Sequence, residues 1–552
     1  MGSEGRARYR RELSLLDLTM ASLGGIIGSG WLFASQAAAN IAGPSALVSW
    51  LIGAVAVILI GLCYAELGGM LPEAGGIARY PQYTHTTMVS YLMAWAAYLA
   101  YVSVPPIEAT AVIQYLAYQP GQGGWIPGIY ANGSLTGWGF LLAAVLLLLF
   151  IVINNAGVRM FKYVNTPVTI WKFAIPALTI VMLLVSAHQG SVPKAAGGFA
   201  PFGLNGTFGA VASSGIIFSY LGFRQAVDLA GEARNPARDV PRAVIAAIVI
   251  GAVVYFFLQF AFLHAVPGSQ LAHGWGKVSF SAPFANLATV LNLTWLAFLL
   301  HVDGVISPGG TGLVYTTTTA RVAYAMSANQ YFPRIFGRLS PRMGVPIPAL
   351  VLGLILGFLF LLPFPSWSKL VGFVSSATVL TYIIGPVAVM VLRRDAPDLP
   401  RPTRVGGLGV IAPIAFIVAS LIIYWSGWPT TGIVLGAALG GLMFYLVYFD
   451  LYVHQNVWTG REIAGGLWLV GFLVAIGIVS YIGSFGGTGL IPSPWDEILV
   501  AALGLGAFYV GVAQGKATAY LEAVKGNVQG LQAGTYTQGD VEAETVITVT
   551  AP

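Results

Sequence analysis

Lys172, Asp303, Glu108, Arg224 and Asp228 all fall inside long apolar stretches of the sequence. An ionisable side chain at mid-membrane depth costs about 2.5–3.5 kcal/mol on insertion scales, so such residues mark ion paths, proton relays or ligand contacts. Lys172 sits about nine residues into the stretch 163–187, roughly 13–14 Å deep at about 1.5 Å per helical residue. A lysine at that depth loses its proton readily, which suits proton coupling; its plainer role is a pin to a backbone carbonyl. Asp303 is equally central in 290–324, with His301 nearby, and could relay protons or pair with Lys172 or Arg224. Asp228 stands one turn past Arg224 and could neutralise it at i,i+4. Glu108 follows Pro105-Pro106 in the outer half of 89–117, placed to line an outer vestibule or to snorkel toward water. Glu66 and Asp17 lie near the ends of their stretches and read as gate or helix-packing residues.

Backbone groups supply a second kind of chemistry. Gly24-Gly25-Ile26-Ile27-Gly28-Ser29-Gly30 interrupts the first apolar stretch, and Ser219-Tyr220-Leu221-Gly222-Phe223 interrupts the sixth. Glycine weakens a helix by about 1 kcal/mol, and unwound backbone survives in lipid only against protein or a wet cavity. A helix restarting near Gly30 would aim free N–H groups and the positive end of its dipole at the break, which suits a carboxylate. The last carbonyls before the second break, around Phe218 and Ser219, suit an ammonium. Small residues also let membrane helices pack closely, and for either run alone that reading competes. Two breaks at matching positions of two halves are instead the pointer to a transporter's binding site.

The elements that must hold these residues are membrane helices. Of 552 residues, 57% are hydrophobic and 8% charged, against about 25% charged in soluble domains. Candidate spans fall at 15–38, 44–70, 89–117, 137–154, 163–187, 207–230, 240–265, 290–324, 346–363, 367–392, 408–427, 430–450, 463–484 and 493–514, fourteen in all. Continuous runs, not ten-residue alternation, make this an all-α polytopic protein. One cysteine, Cys63, and six scattered histidines leave no metal-ligand spacing, and no G-x-x-x-x-G-K-[ST] loop is present. No metal, no cofactor, no enzyme activity and no nucleotide-driven pumping are therefore expected.

The net charge of +6 does not point to nucleic acid, because the basic residues sit in short loops. With the N-terminus in the cytoplasm, only Lys194, Lys277 and Lys369 of the 26 lysines and arginines fall outside, with Lys172 and Arg224 within spans. That bias sets the orientation and agrees with an even number of spans. Arg6, Arg8, Arg10 and Arg11 precede a first span with no small-residue cleavage site, so it is read as retained. Spans one to five cover 15–187 and spans six to ten cover 207–392. Each block opens with its broken helix, and the odd number five gives the blocks opposite orientations, the arithmetic of an inverted repeat. Residues 1–14 then form a cytoplasmic N-terminus and 15–392 a ten-helix transport core. Four accessory helices over 393–514 precede a mostly disordered cytoplasmic tail over 515–552.

These motifs resemble those of the amino acid–polyamine–organocation transporters. Ser22-Leu23-Gly24-Gly25-Ile26-Ile27-Gly28-Ser29-Gly30 is similar to their first-helix signature, and Tyr64-Ala65-Glu66-Leu67 with Pro72-Glu73-Ala74-Gly75-Gly76 to their second-helix end. Phe218-Ser219-Tyr220-Leu221-Gly222-Phe223, Gly231-Glu232-Ala233-Arg234-Asn235-Pro236 and Ala320-Arg321-Val322-Ala323-Tyr324-Ala325-Met326 resemble their sixth helix, the turn into the seventh, and the eighth. The resemblance implies a LeuT-type fold of two five-helix inverted repeats, with four additional C-terminal helices. Where many members carry Gly-Phe-Glu, this chain has Gly222-Phe223-Arg224-Gln225. That inversion, with Pro105-Pro106-Ile107-Glu108 and Ser307-Pro308-Gly309-Gly310-Thr311, is similar to the aspartate–proton symporter branch.

The resemblance further implies that an amino acid's carboxylate rests on Ile27, Gly28, Ser29 and Gly30. Its amine would lie near Ile26, Phe218 and Leu221, with Ser219 and Gly222 across the break and Phe218 as an aromatic gate. Lys172 would fill the volume of a coupling sodium ion, touching unwound backbone near Gly24 and the eighth helix. Arg224 would meet the substrate, favouring acidic over neutral and disfavouring cationic side chains. The expected function is proton-coupled amino acid symport by alternating access in the cell membrane, with substrate, protons and lipid as partners. An exchanger and a transporter-like sensor or channel are the competing classes. Oligomeric state is not legible.

Overall fold

The computed structural model describes residues 12–72, 76–118, 123–155, 158–187, 197–340, 345–448 and 460–533. Its elements are helical apart from one small hairpin. The first apolar stretch divides into α1 (Leu15–Ile26) and α2 (Ser29–Ala42), followed by α3 (Ala46–Met70) and the short α4 (Gly76–Thr84). The third stretch divides at Ser103 into α5 (Thr87–Val102) and α6 (Val104–Leu116), because Pro105 and Pro106 occupy the first turn of α6, where their missing N–H groups cost nothing. Next come α7 (Gly137–Asn155) and α8 (Val158–Ser186). The hairpin pairs Tyr130–Ala131 with Ser134–Leu135 ahead of α7. Its turn residues Asn132 and Gly133 both take positive φ, as a two-residue hairpin demands.

The second block begins with α9 (Gly203–Ser213), α10 (Ile216–Tyr220) and α11 (Arg224–Asp228). It continues through α12 (Pro236–Ala265), α13 (Pro283–Val290), α14 (Thr294–Ala328), α15 (Ile347–Leu361), α16 (Trp367–Tyr382) and α17 (Ile384–Asp395). Four further helices, α18 (Leu408–Trp425), α19 (Thr430–Tyr448), α20 (Gly460–Ile482) and α21 (Trp495–Gln514), complete the apolar set. Of these, α18 packs on α3, α9 and α16, and α19 and α20 pack on α5.

Among the described residues, eleven helices are long and apolar enough to cross a membrane, or twelve if the bent pair Gly203–Ser213 and Ile216–Asp228 counts as one span. The expected fourteen is not reached by that test, for local reasons. Leu15–Ile26 and Ile347–Leu361 are each too short alone, and Ser29–Met70 runs on as one unit across the tight turn at Gly43–Ser45.

Within the tail expected to be mostly disordered, one stretch is helical. Residues Ala519–Ala533 form α22, with Leu521 and Val524 buried where it packs on α4. Lys516 N–H donates to Thr84 O at 2.8 Å and Thr518 Oγ1 to Gln82 O at 2.5 Å, so a polar seam accompanies the apolar contact. Residues 534–552 lie outside the described residues. At the other terminus Asp17 is a capping residue: it accepts from Ser14 N–H at 2.9 Å, and Ser14 Oγ accepts from Asp17 N–H. This reciprocal pair satisfies two N–H groups that a helix start leaves open.

Candidate functional site

The helix α1 stops where the glycine run predicts. Ile27 and Gly28 leave helical geometry, at φ −87, ψ 84 and φ −120, ψ −140, and α2 restarts at Ser29. The break in the sixth stretch is displaced from its expected place at Ser219–Phe223. The chain bends 43° between Gly203–Ser213 and Ile216–Asp228, at Ser214-Gly215, where Gly215 takes φ 96. A left-handed residue ends a helix at little cost only when it lacks a Cβ. Residues Leu221–Phe223 tighten into a 3-10 turn instead of unwinding.

Gly222 is glycine for a different reason. A Cβ there would stand 2.1 Å from Ile26 N and 2.3 Å from the Gly25 carbonyl carbon. The two broken helices therefore touch backbone to backbone. Their contact continues along both segments: a Cβ on Gly30 would lie 2.3 Å from Ser219 Oγ, and Ser22 Oγ accepts from Ala226 N–H at 3.1 Å. Ile26–Gly30 and Phe218–Gly222 thus face each other, as the motif implies.

Polar side chains close on the first break from five elements, α6, α8, α12, α14 and α16. From α8, Lys172 Nζ donates to Gly24 O at 2.8 Å and to Thr311 Oγ1 of α14 at 2.7 Å. From α12, Tyr255 OH donates to Ile26 O at 2.6 Å. From α6, Glu108 Oε2 accepts from Ser29 N–H at 2.9 Å. Glu108 is fully buried, so the expectation that it lines an outer vestibule or snorkels to water is corrected. The α6 turn set by Pro105-Pro106 points it inward. Trp367 Nε1 donates to Ser29 Oγ at 2.8 Å, and the same indole meets Phe218 edge-on at 6.2 Å and stacks on Phe33 at 5.0 Å. Phe218 is thus one wall of an aromatic lining.

Asp303 lies farther along α14. Its Oδ1 accepts from Trp171 Nε1 at 2.8 Å and Ser307 Oγ at 2.7 Å, while Oδ2 completes no hydrogen bond. It makes no ion pair with Lys172 or Arg224.

Arg224 is wholly buried, and none of its three guanidinium nitrogens completes a hydrogen bond. Its Cζ lies 3.7 Å over the Tyr101 ring and 5.3 Å from the Tyr315 ring. The anticipated Arg224–Asp228 pairing does not form. Asp228 instead accepts a short hydrogen bond from Tyr101 OH, so the tyrosine sits between the two charges and contacts each.

The whole arrangement is a pair of broken helices with the Glu108 carboxylate on the N-terminus of α2, a buried lysine on the break and a buried arginine beyond it. Residues 13–451 match the amino acid permease family.

The chain belongs to that family.

It is a member of the amino acid–polyamine–organocation superfamily, a multi-pass membrane protein whose function is amino acid transport and not catalysis. Over 524 residues it is 44% identical to the glutamate/serine transporter AimA of Bacillus subtilis, covering 94% of this chain and 96% of that one. Over 511 residues it is 40% identical to the aspartate-proton symporter of Bacillus subtilis, covering 91% and 96%. The branched-chain amino acid permease BcaP of the same organism is 26% identical over 464 residues, 82% of this chain and 96% of its own.

Within this permease, the structure gathers Ile26, Ile27, Gly28, Ser29, Gly30, Lys172, Glu108, Phe218 and Ser219 around one break. Leu221 and Gly222 form the adjoining helix contact, and Arg224 with Asp228 makes a second cluster one turn on. Glu66 belongs to neither. Arg393 holds its carboxylate through two bonds of 2.8 and 2.5 Å, and Val405 N–H adds a third at 2.9 Å, so it ties α3 to α17 and to the segment before α18. Thr311, Tyr255 and Trp367 escaped the sequence reading as contacts of the break, and Tyr101 and Tyr315 as those of Arg224. Thr311 carried a signal, since it ends the Ser307–Thr311 motif at the depth of Lys172.

Proposed function

We propose that this permease is a secondary active symporter that carries an acidic or neutral amino acid together with a proton across the cell membrane. Spans one to five and six to ten act as an inverted repeat in a fourteen-span chain, with both termini cytoplasmic, and alternate access around the two broken helices. The observation that carries the reading is Lys172 Nζ, bonded at once to Gly24 O and Thr311 Oγ1. A cation at an unwound segment can be a bound metal ion or a protein ammonium, and here the ammonium supplies it. A buried lysine's charge is sensitive to its surroundings, and we read that charge as the link between the break and the proton supply. The 40% identical relative named an aspartate-proton symporter supports the same coupling.

Substrate choice follows from Arg224. A buried guanidinium with open donors attracts a side-chain carboxylate, tolerates a neutral side chain and repels a cation. The 44% identical relative is named for glutamate and serine, one acidic and one neutral substrate. Purified protein in liposomes, tested for uptake of labelled aspartate, glutamate, serine and arginine under an imposed pH gradient, decides the matter. Concentrative uptake of the acidic or neutral compounds that collapses when the gradient is dissipated is expected. Uptake only into liposomes preloaded with amino acid would make the protein an exchanger, and inhibition by arginine alone would overturn the substrate ranking.

A further inference from the structure

We infer that Glu108 is a built-in competitor for the carboxylate of the transported amino acid, so that loading the site exchanges one carboxylate for another. The inference rests on the reading that α2 receives the substrate's carboxylate.

Three observations carry it. The first is occupancy: Ser29 N–H, an open donor of α2, is already bonded to Glu108 Oε2 at 2.9 Å. The helix behind it has 14 residues, long enough for its dipole to favour an anion at that end. The second is direction. Glu108 Oε1 is buried and completes no hydrogen bond, and it would stand 2.9 Å from a Cβ on Gly28. The carboxylate thus reaches across the unwound residues, leaving one oxygen without a partner where a second donor would be needed. The third is crowding. A Cβ on Gly28 would also meet Thr311 Oγ1 at 2.8 Å, so a second carboxylate cannot enter while Glu108 stays.

Lys172 supplies positive charge beside this seat. Lys172 shares Thr311 with the break, and Tyr255 and Trp367 donate to Ile26 O and Ser29 Oγ. Two carboxylates in that volume would repel each other in a poorly screened environment. A tethered carboxylate also costs no translational entropy to hold in place. It fills the receptor between substrates and sets the apparent affinity of whatever displaces it.

Binding of aspartate, glutamate and serine to purified full-length protein, measured by isothermal titration calorimetry, tests the inference in the parent, Glu108→Gln and Glu108→Ala. The glutamine variant can still offer a neutral oxygen to Ser29, whereas alanine vacates the seat. Binding should therefore tighten about threefold in Glu108→Gln and about tenfold in Glu108→Ala, within the range of charge-assisted hydrogen bonds. Formate should compete with the amino acid far better in Glu108→Ala than in the parent, because in the variant it has no tethered carboxylate to displace. Unchanged or weaker binding in both variants, with both monodisperse and melting as the parent does, overturns the inference while leaving the transport reading intact. Absence of any amino acid binding in the parent overturns both.

Discussion

Lys172 and Arg224 are both buried near the helix breaks of this permease, and they are held in opposite ways. Lys172 has two of its three ammonium donors engaged, by a carbonyl at 2.8 Å and a hydroxyl at 2.7 Å. Arg224 is surrounded by tyrosines, its Cζ 3.7 Å over the Tyr101 ring and 5.3 Å from the Tyr315 ring with Tyr382 also beside it, and no carboxylate is bonded to it. A ring face attracts a guanidinium by about 0.5–2 kcal/mol, well short of a buried, bidentate carboxylate. The difference separates a cation that belongs to the framework of the break from one whose donors are still available. Burial alone, equal for the two, says nothing about which is which; the partners decide.

Arg224→Glu breaks the comparison most severely. It places a carboxylate where an acidic side chain should arrive, and removal of a buried charge partner costs about 2–5 kcal/mol. Labelled aspartate uptake should fall on the order of 100-fold, with serine uptake far less affected; equal loss of both would show that Arg224 only supports the fold. Lys172→Ala comes next. Accumulation driven by a pH gradient should fall about tenfold or more while calorimetric binding stays detectable, since the coupling group and not the receptor is lost. An alanine variant that still concentrates substrate like the parent would reduce Lys172 to a pin.

Thr311→Val sharpens the comparison by leaving Lys172 a single carbonyl. A hydrogen bond to a charged group contributes about 1.5–3 kcal/mol, so initial uptake rates should drop roughly tenfold or more, and a rate equal to the parent's would remove Thr311 from the coupling site. Tyr101→Phe is the gentlest change. It keeps the ring under Arg224 and removes only the hydroxyl that reaches Asp228, so aspartate KM should shift about twofold. Tyr101→Leu should shift it further, and indistinguishable effects of Phe and Leu would show that the ring face contributes nothing.

The sequence reveals depth well and direction poorly. Lys172 could be placed at the level of Gly24 by counting residues along its helix. Glu108 could be counted the same way, yet whether it faced water or Ser29 depended on how Pro105-Pro106 reset the helix, which spacing does not encode. Gly215 and Gly222 illustrate a second limit. One is glycine because its φ is 96, the other because Ile26 N crowds its α-carbon, and composition cannot distinguish a demand of the residue's own backbone from a demand of its neighbour. Tyr101 and Tyr315 were hidden in a chain that is 12% aromatic. The α22 helix is legible in part, since Tyr520, Leu521 and Val524 repeat at helical spacing.

The backbone contact between Gly25 and Gly222 has a mechanical side. Leu13 N–H bonds to Glu232 O at 3.0 Å, and Arg234 N–H bonds back to Leu13 O at 2.8 Å, joining the start of α1 to the chain just beyond α11. The two half-helices are thus fastened at their far ends as well as at their crossing, and together they form a single lever with its fulcrum at the glycines. The 12 residues of α1 give an arm of about 18 Å at about 1.5 Å per residue. A turn of only about 10° at the fulcrum would carry the Leu15 end through about 3 Å, roughly the width of a water molecule.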